Sequence, residues 1–446
     1  MRFFLLKLTT NGVKNISEDV SLAFYRETGI DTITFPGNNI RAIYGKNGSG
    51  KSALILSVLL AKNLMSKSSY IASKPQGYFD ELINKKTKRF SIEFIFAVYD
   101  EKKKNKVLGL MAYSLMLTLK DHRFQIVKEC IEEIKGKSIN GERELVAKNE
   151  NGELSFASDN TDSFAPFLKQ STLNLLQDNT LVSQLGRCLK SYVKEGENLN
   201  NFESCLFLCC LFANSLAVAA QTSDLHDSDF PMPPQLLKAY SDMKAEDLKA
   251  LFISNCLSSN SDCVTKVPKK EMPSYHDYIA RLCAFLRLFK PTLKTIEIQQ
   301  KEDAENYVCT NLLVYQDYAI SEVYESTGIK KLISLFNSIA LADRGGIVFV
   351  DELDANISGV YLQKLVEFIS MYGHGQLIFT AHSLDPMYYL SKYSKSLCFL
   401  GDDNVMVPWI KNGHYQPYKL YPEGMIKGSA FNLEAFDFLS VFGEDK

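Results

Sequence analysis

Gly45-Lys46-Asn47-Gly48-Ser49-Gly50-Lys51-Ser52 satisfies the pattern G-x-x-x-x-G-K-[ST] in full. Glycines at these positions let backbone N–H groups turn inward and surround phosphates. A following helix N-terminus adds its dipole and unpaired donors. Lys51 would reach the β- and γ-phosphates, and the Ser52 hydroxyl would ligate Mg²⁺. ATP and Mg²⁺ are therefore the expected cofactors. A second group of residues supplies the acids. Ile347-Val348-Phe349-Val350-Asp351-Glu352 is an apolar run that ends in two carboxylates. Asp351 is expected to hold Mg²⁺ through water, and Glu352 to orient or deprotonate the attacking water. Leu353-Asp354-Ala355-Asn356 follows directly, and Phe379-Thr380-Ala381-His382-Ser383 ends the next apolar run, which puts His382 beside the expected γ-phosphate. Glu325-Ser326-Thr327-Gly328 lies before these acids, where Ser326 and Gly328 make a second anion-binding helix start.

These groups need elements to hold them. The strand Ile40-Arg41-Ala42-Ile43-Tyr44 precedes the glycine-rich loop, and a helix apolar nearly all round follows it from Lys51 to about Lys62. A continuous apolar run such as 347–350 fits a strand of a parallel sheet buried on both faces. In such sheets the working groups sit at the carboxyl ends of strands. Strands are also expected at Val20–Phe24, Phe90–Tyr99, Val107–Leu119, Phe124–Ile134 and Glu153–Phe156, forming an antiparallel sheet with a charged hairpin tip at 100–106. From about 164 to 290 leucines recur at helical spacing, with polar loops at 222–235 and 257–273. Strand and helix then alternate again: strands at 308–315, 320–324, 346–350 and 376–380, helices at 328–342 and 359–371. Three units are expected: an ATPase lobe over 1–163, a helical insertion over 164–290, and a second ATPase lobe over 291–446.

The chain has 446 residues, enough for a large core in two or three lobes. Its formal net charge is −2, so no global basic signal for nucleic acid exists, although a local basic surface is compatible with it. Ten cysteines are scattered without metal spacing. Cys205, Cys209 and Cys210 fall in an apolar helical run and read as buried free thiols. The start, Met1 to Lys7, is too short for a signal sequence and reads as a first strand. Reduced thiols and this start point to a cytoplasmic protein. The apolar run Cys205–Ala220 is short for a membrane span, so a buried helix and no membrane are expected.

The ordered set resembles the ABC-type ATPase superfamily: Walker A, a signature Ser-x-Gly, Walker B Asp-Glu, a D-loop and a switch histidine. The match covers residues 1–62 and about 291–400. Transporter ATPases carry the signature Leu-Ser-Gly-Gly-Gln and a far shorter insertion than the 300 residues between Lys51 and Asp351. The variant Glu325-Ser326-Thr327-Gly328-Ile329-Lys330-Lys331-Leu332 is similar to the AAA-type branch with SMC/RecF-like and OLD-like ATPases. Within it the chain resembles stand-alone phage-defence and abortive-infection ATPases: AbiL-type proteins, the Septu ATPase PtuA and the PARIS ATPase AriA. Ile329 replaces the threonine usual there, and Ser358 stands near the place of a usual histidine.

The resemblance implies an α/β fold: a P-loop ABC-type head with a mixed sheet, an antiparallel β lobe and a helical insertion. It implies a slow, dimerisation-dependent ATPase whose two sites form between two heads. Ser326 and Gly328 would contact the γ-phosphate bound to a partner's Lys51, Asp354 would bridge the interface, and His382 would sense the γ-phosphate. A Q-loop glutamine is implied as well, with Gln76 and Gln125 both open. OLD-like relatives carry a Toprim nuclease after the ATPase, but only 64 residues follow His382, so an effector or nuclease is expected as a separate chain. The first reading is thus a homo-oligomeric defence ATPase that controls such a partner. The second is an SMC/RecF-like DNA-repair or DNA-binding ATPase, with 102–106, Lys266, Lys269 and Lys270 as phosphate contacts. A third, a non-hydrolysing scaffold, has no use for Glu352.

Overall fold

Six short strands, most of them fully or largely apolar, build the centre of the molecule, and their alignment brings distant motifs together. In the computed structural model the central sheet runs in the order Met406–Pro408, Leu397–Leu400, Ile40–Tyr44, Gln376–Thr380, Ile347–Val350, Leu216–Ala219. All neighbours are parallel except Met406–Pro408, which is antiparallel to Leu397–Leu400. Every residue of the four inner strands is buried. That is the condition under which β-branched and aliphatic runs form parallel sheets covered on both faces. The structure describes residues 1–157, 164–192, 200–220, 228–229, 258–260, 264–355, 357–393, 395–410 and 415–429.

The second sheet is antiparallel and has seven strands, in the order Val20–Ala23, Arg2–Asn11, Arg89–Asp100, Lys106–Lys120, Arg123–Ile134, Arg143–Glu150, Glu153–Phe156. It matches the expected antiparallel lobe and adds Arg143–Glu150. Two buried polar side chains join the sheets. At the bulge in Arg2–Asn11, Leu5 N–H donates to Gln376 Oε1 at 2.6 Å, and Gln376 Nε2 donates to Leu5 O at 3.0 Å. Arg41, 1% exposed, gives its guanidinium to the carbonyls of Ala23, Phe24, Gly37 and Ile40. The P-loop helix Lys51–Ser66 and the helix Asn201–Ser215 fill the space beside them, and Phe212 stacks on Phe96 at 4.0 Å.

A third, antiparallel sheet includes Val264–Pro268, Leu293–Asp303 and Asn306–Tyr315, and packs on the helices Met272–Phe289 and Thr327–Asp343. The stretch 164–290 is therefore not wholly helical. Among the described residues it supplies four helices (Phe164–Ser171, Leu181–Tyr192, Asn201–Ser215 and Met272–Phe289), the edge strand Leu216–Ala219 and strands of the third sheet. The apolar helix expected over 234–257 lies outside the described residues. Leu216–Ala219 lies in the apolar run Cys205–Ala220, and no helix among the described residues is long and apolar enough to cross a membrane. Cys205, Cys209 and Cys210 are buried free thiols, and no metal-holding group of His, Cys, Asp and Glu occurs among the described residues.

Glu129 anchors the helix Leu181–Tyr192 to the antiparallel sheet. Its carboxylate accepts from Leu181 N–H at 2.6 Å, Val182 N–H at 3.3 Å and the Tyr113 hydroxyl at 2.9 Å. Burial outweighs these bonds and raises its pKa to about 7. A carboxyl whose folded pKa lies above its unfolded value of about 4.5 binds more protons when folded. Stability from this group is thus full below about pH 4.5 and falls as pH rises to about 7, by roughly 3 kcal/mol. Urea melts of wild type and Glu129→Gln across this window should differ by that slope. Parallel curves would remove Glu129 from the pH dependence.

Candidate nucleotide site

The loop Gly45–Ser52 leaves the carboxyl end of Ile40–Tyr44 and enters the helix Lys51–Ser66, as the spacing predicts. Gly50 sits at φ +108°, a conformation that L side chains rarely adopt. Gly45 is needed for space: a Cβ there would lie 2.5 Å from Ser49 Oγ and 2.6 Å from Leu400 O. Lys51 is 6% exposed, and its Nζ donates to Gly45 O at 2.7 Å and Lys46 O at 3.0 Å. Burial lowers its pKa, while Asp351, Glu352 and Asp354 push it back up. Those carboxylates therefore face Lys51 across a separation of 300 residues in sequence.

Asp351 and Glu352 leave the carboxyl end of Ile347–Val350, beside the end of Gln376–Thr380. Asp351 is 5% exposed, and its Oδ1 accepts from the Thr380 hydroxyl at 2.6 Å. Glu352 has φ +50°, and its N–H donates to the same Thr380 oxygen at 2.7 Å. Asp354 Oδ2 accepts from His382 N–H at 2.8 Å and Ser383 N–H at 2.6 Å, so the segment after the acids is tied to the histidine segment within one chain. The His382 side chain is exposed, at the mouth of this cluster.

Ser49 Oγ and Asp354 Oδ1 are buried and lack a hydrogen-bond partner. Orphaned oxygens of this kind in a native fold call for a ligand or water. Ser52 is exposed on the first helical turn. A hydroxyl and a carboxylate form an all-oxygen donor set that suits Mg²⁺. The residues present thus fit a Mg²⁺-nucleotide, with Ser52 and Asp351 as the residues that would hold the ion. Once bound, the ion would neutralise phosphate charge.

Ser326 caps the helix Thr327–Asp343, its Oγ accepting from Ile329 N–H at 3.4 Å. Glu325 accepts from Ser326 N–H at 2.9 Å and from the Tyr315 hydroxyl. Ser326 is exposed, and a Cβ on Gly328 would meet nothing within 4 Å, so this helix start is open. One turn further, Lys331 Nζ lies 3.5 Å from Asp351 O, and the three carboxylates that face Lys51 face Lys331 too.

Several contacts were not signalled by motif. Asn15 Nδ2 donates to Gly48 O and holds the glycine-rich loop from the turn after Arg2–Asn11. The closing segment, whose task the sequence leaves open, straps the loop: Lys46 N–H donates to Gly428 O at 2.9 Å. Tyr421 packs its ring on Tyr44 and Phe399. Of the two glutamines, Gln76 is exposed in a turn and Gln125 is in the antiparallel sheet opposite Thr118.

No family model and no curated protein sequence matches this chain. Solved structures similar to it include SMC head domains. The Smc head domain of Pyrococcus yayanosii with a coiled coil and joint is 12% identical with TM-score 0.44, covering 95% of this chain and 100% of that one. The Smc head domain of Pyrococcus furiosus bound to the C-terminal domain of ScpA is 13% identical with TM-score 0.42, covering 92% and 96%. The SMC head domain of Thermotoga maritima is 14% identical with TM-score 0.30, covering 91% and 98%. The α/β architecture stands on the sheets themselves: a mixed parallel-centred sheet and an antiparallel lobe.

Charge is distributed unevenly over the described surface. Of the cations expected to meet phosphate, Lys103 pairs with Asp100, Lys266 with Asp303 and Lys269 with Glu302. A different group is open. Lys14, Lys86, Lys88, Arg89, Lys120 and Arg123 are all exposed and have no ion-pair partner among the described residues. Leu119 N–H donates to Lys88 O, Lys120 pairs with Arg123 across the hairpin, and Asn84 Nδ2 donates to Lys14 O. These bonds gather the six at one end of the antiparallel sheet.

Proposed function

We propose that the protein binds and hydrolyses ATP, using Lys51, Ser52, Asp351 and Glu352 as one half of a site that a second copy completes. The observation that carries this reading is the convergence of Lys51 with Asp351, Glu352 and Asp354 at the ends of adjacent parallel strands. Lys51 and the loop N–H groups bind phosphate, Glu352 takes or orients the proton of water, and exposed His382 meets the γ-phosphate. The open helix start at Ser326 and Gly328 supports a role toward a partner's nucleotide.

Mixing two inactive variants tests the shared site. Lys51→Ala lacks its own phosphate grip, and Ser326→Arg blocks what it offers to a partner. Each should be inactive alone. An equal mixture should recover about one quarter of wild-type activity, since half of random dimers keep one of two sites. No recovery, with a wild-type rate per subunit independent of protein concentration, would overturn the shared site.

The signature variant and the motif order further favour the ATPase of a phage-defence system that controls a separate effector or nuclease. Loss of phage protection in a Lys51→Ala strain is the result expected. The six unpaired cations favour a second reading, a DNA-binding ATPase of SMC/RecF type. That reading predicts duplex affinity falling steeply with salt, by a slope near −0.9 per phosphate contacted. A flat salt titration removes it.

A further inference from the structure

Thr380 ends its strand 1% exposed, and three bonds tie it to the segment Asp351–Leu353. Its carbonyl accepts from Leu353 N–H at 3.0 Å. A hydroxyl has one hydrogen to give and lone pairs to receive. Here the hydrogen goes to Asp351 Oδ1 at 2.6 Å, and a lone pair receives Glu352 N–H at 2.7 Å. The first is a short O–H···O⁻ bond to an ionised group, the stronger class of hydrogen bond. The second holds the peptide of a non-glycine residue at φ +50°, a sparsely populated region that persists only where surroundings impose it.

From these bonds we infer that Thr380 is a positioning residue that sets both acids of the site at once. With Oδ1 filled by the hydroxyl, Asp351 keeps Oδ2 for a cation. With its amide held, Glu352 leaves the strand in a backbone turn that a regular extension would not give. The hydroxyl therefore makes one unit of the cation-holding and water-activating carboxylates. This inference rests on the ATPase reading above and adds a residue to it.

Valine keeps the shape of threonine and removes the hydroxyl, leaving Asp351 Oδ1 and Glu352 N–H unpaired. Serine keeps the hydroxyl. Two readouts separate positioning from mere packing: affinity for a fluorescent ATP analogue with and without Mg²⁺, and kcat against KM. T380V should bind the analogue without Mg²⁺ within about two-fold of wild type. It should need roughly ten-fold more Mg²⁺ to reach full affinity, and its kcat should fall about 10- to 100-fold with KM little changed. T380S should stay within about three-fold of wild type in all of these. Should T380V melt below the assay temperature, T380A, which removes the hydroxyl without crowding, carries the same expectation. A folded T380V or T380A that titrates Mg²⁺ and hydrolyses like wild type overturns the inference, as does a folded T380S as impaired as T380V. Wild type that neither binds nor hydrolyses ATP overturns the ATPase reading instead, and this inference falls with it.

Discussion

Lys51→Ala should keep its fold, bind ATP about 10- to 100-fold more weakly and lose hydrolysis by roughly 100- to 1000-fold. Lys51 Nζ reaches back over the glycine-rich loop to the carbonyls of Gly45 and Lys46. Both bonds can be exchanged for phosphate oxygens without moving the helix, so the ammonium is available to a ligand at low cost in reorganisation. It is also the cation that faces Asp351, Glu352 and Asp354 from the phosphate side. Removing it takes away a charge-assisted bond to the nucleotide and leaves the incoming phosphates opposite three carboxylates with less compensation. The fold does not depend on it, because the loop is also held by Asn15 on Gly48 O and by Gly428 O on Lys46 N–H. Calorimetric titration with ATP and a thermal melt check both halves. Undiminished affinity in a folded variant would remove Lys51 from the site.

Local signals made much of this site legible. The glycine-rich loop carries its strand and helix on either side, and the run ending in Asp351 and Glu352 is apolar at every position. Each such pattern is settled by a few neighbouring residues. What the sequence did not display are contacts made between elements. Thr380 reads as one more β-branched residue in a strand, and only the parallel pairing of 376–380 with 347–350 turns its hydroxyl onto Asp351. Lys331 reads as a surface lysine on an amphipathic helix until that helix packs against the strand Ile347–Val350. Leu216–Ala219 continues the apolar composition of the helix before it. Its change to strand follows from an open edge beside Ile347–Val350, which four parallel pairings fill. The basic cluster leaves no local signal in the sequence, because its six residues are spread from 14 to 123 and gather only through the hairpin and the turn at 84–88.

Hydrogen bonds within one chain hold the segments of the site in place without a second copy. Asp354 fastens the His382–Ser383 backbone, Thr380 fastens Asp351 and Glu352, and Lys331 lies against the same acids from the helix that Ser326 opens. On the proposed reading, a nucleotide of a second copy seated at Ser326 would bear on a helix whose next turn touches the Asp351 backbone. Movement there need only be small to be felt, because packed elements do not deform continuously.

Glu352→Gln follows from the same geometry and gives the second large effect. Glutamine keeps the length of the side chain, and the backbone N–H that bonds Thr380 is untouched. What is lost is the ability to accept a proton from water. ATP affinity should therefore stay within about two-fold of wild type, while single-turnover hydrolysis falls at least about 100-fold, the lower end for removing a general base. If hydrolysis is what separates two heads joined through nucleotide, the variant with ATP and Mg²⁺ should accumulate as a dimer by light scattering, whereas wild type returns to its resting state as ATP is consumed. Ser326→Arg combined with Glu352→Gln should abolish that dimer and spare ATP binding, because the arginine blocks only what is offered to the partner. Equal single-turnover rates for wild type and Glu352→Gln would remove the acid from the mechanism and leave a nucleotide-binding scaffold. A dimer that forms without ATP, or that survives Ser326→Arg, would place the subunit contact elsewhere.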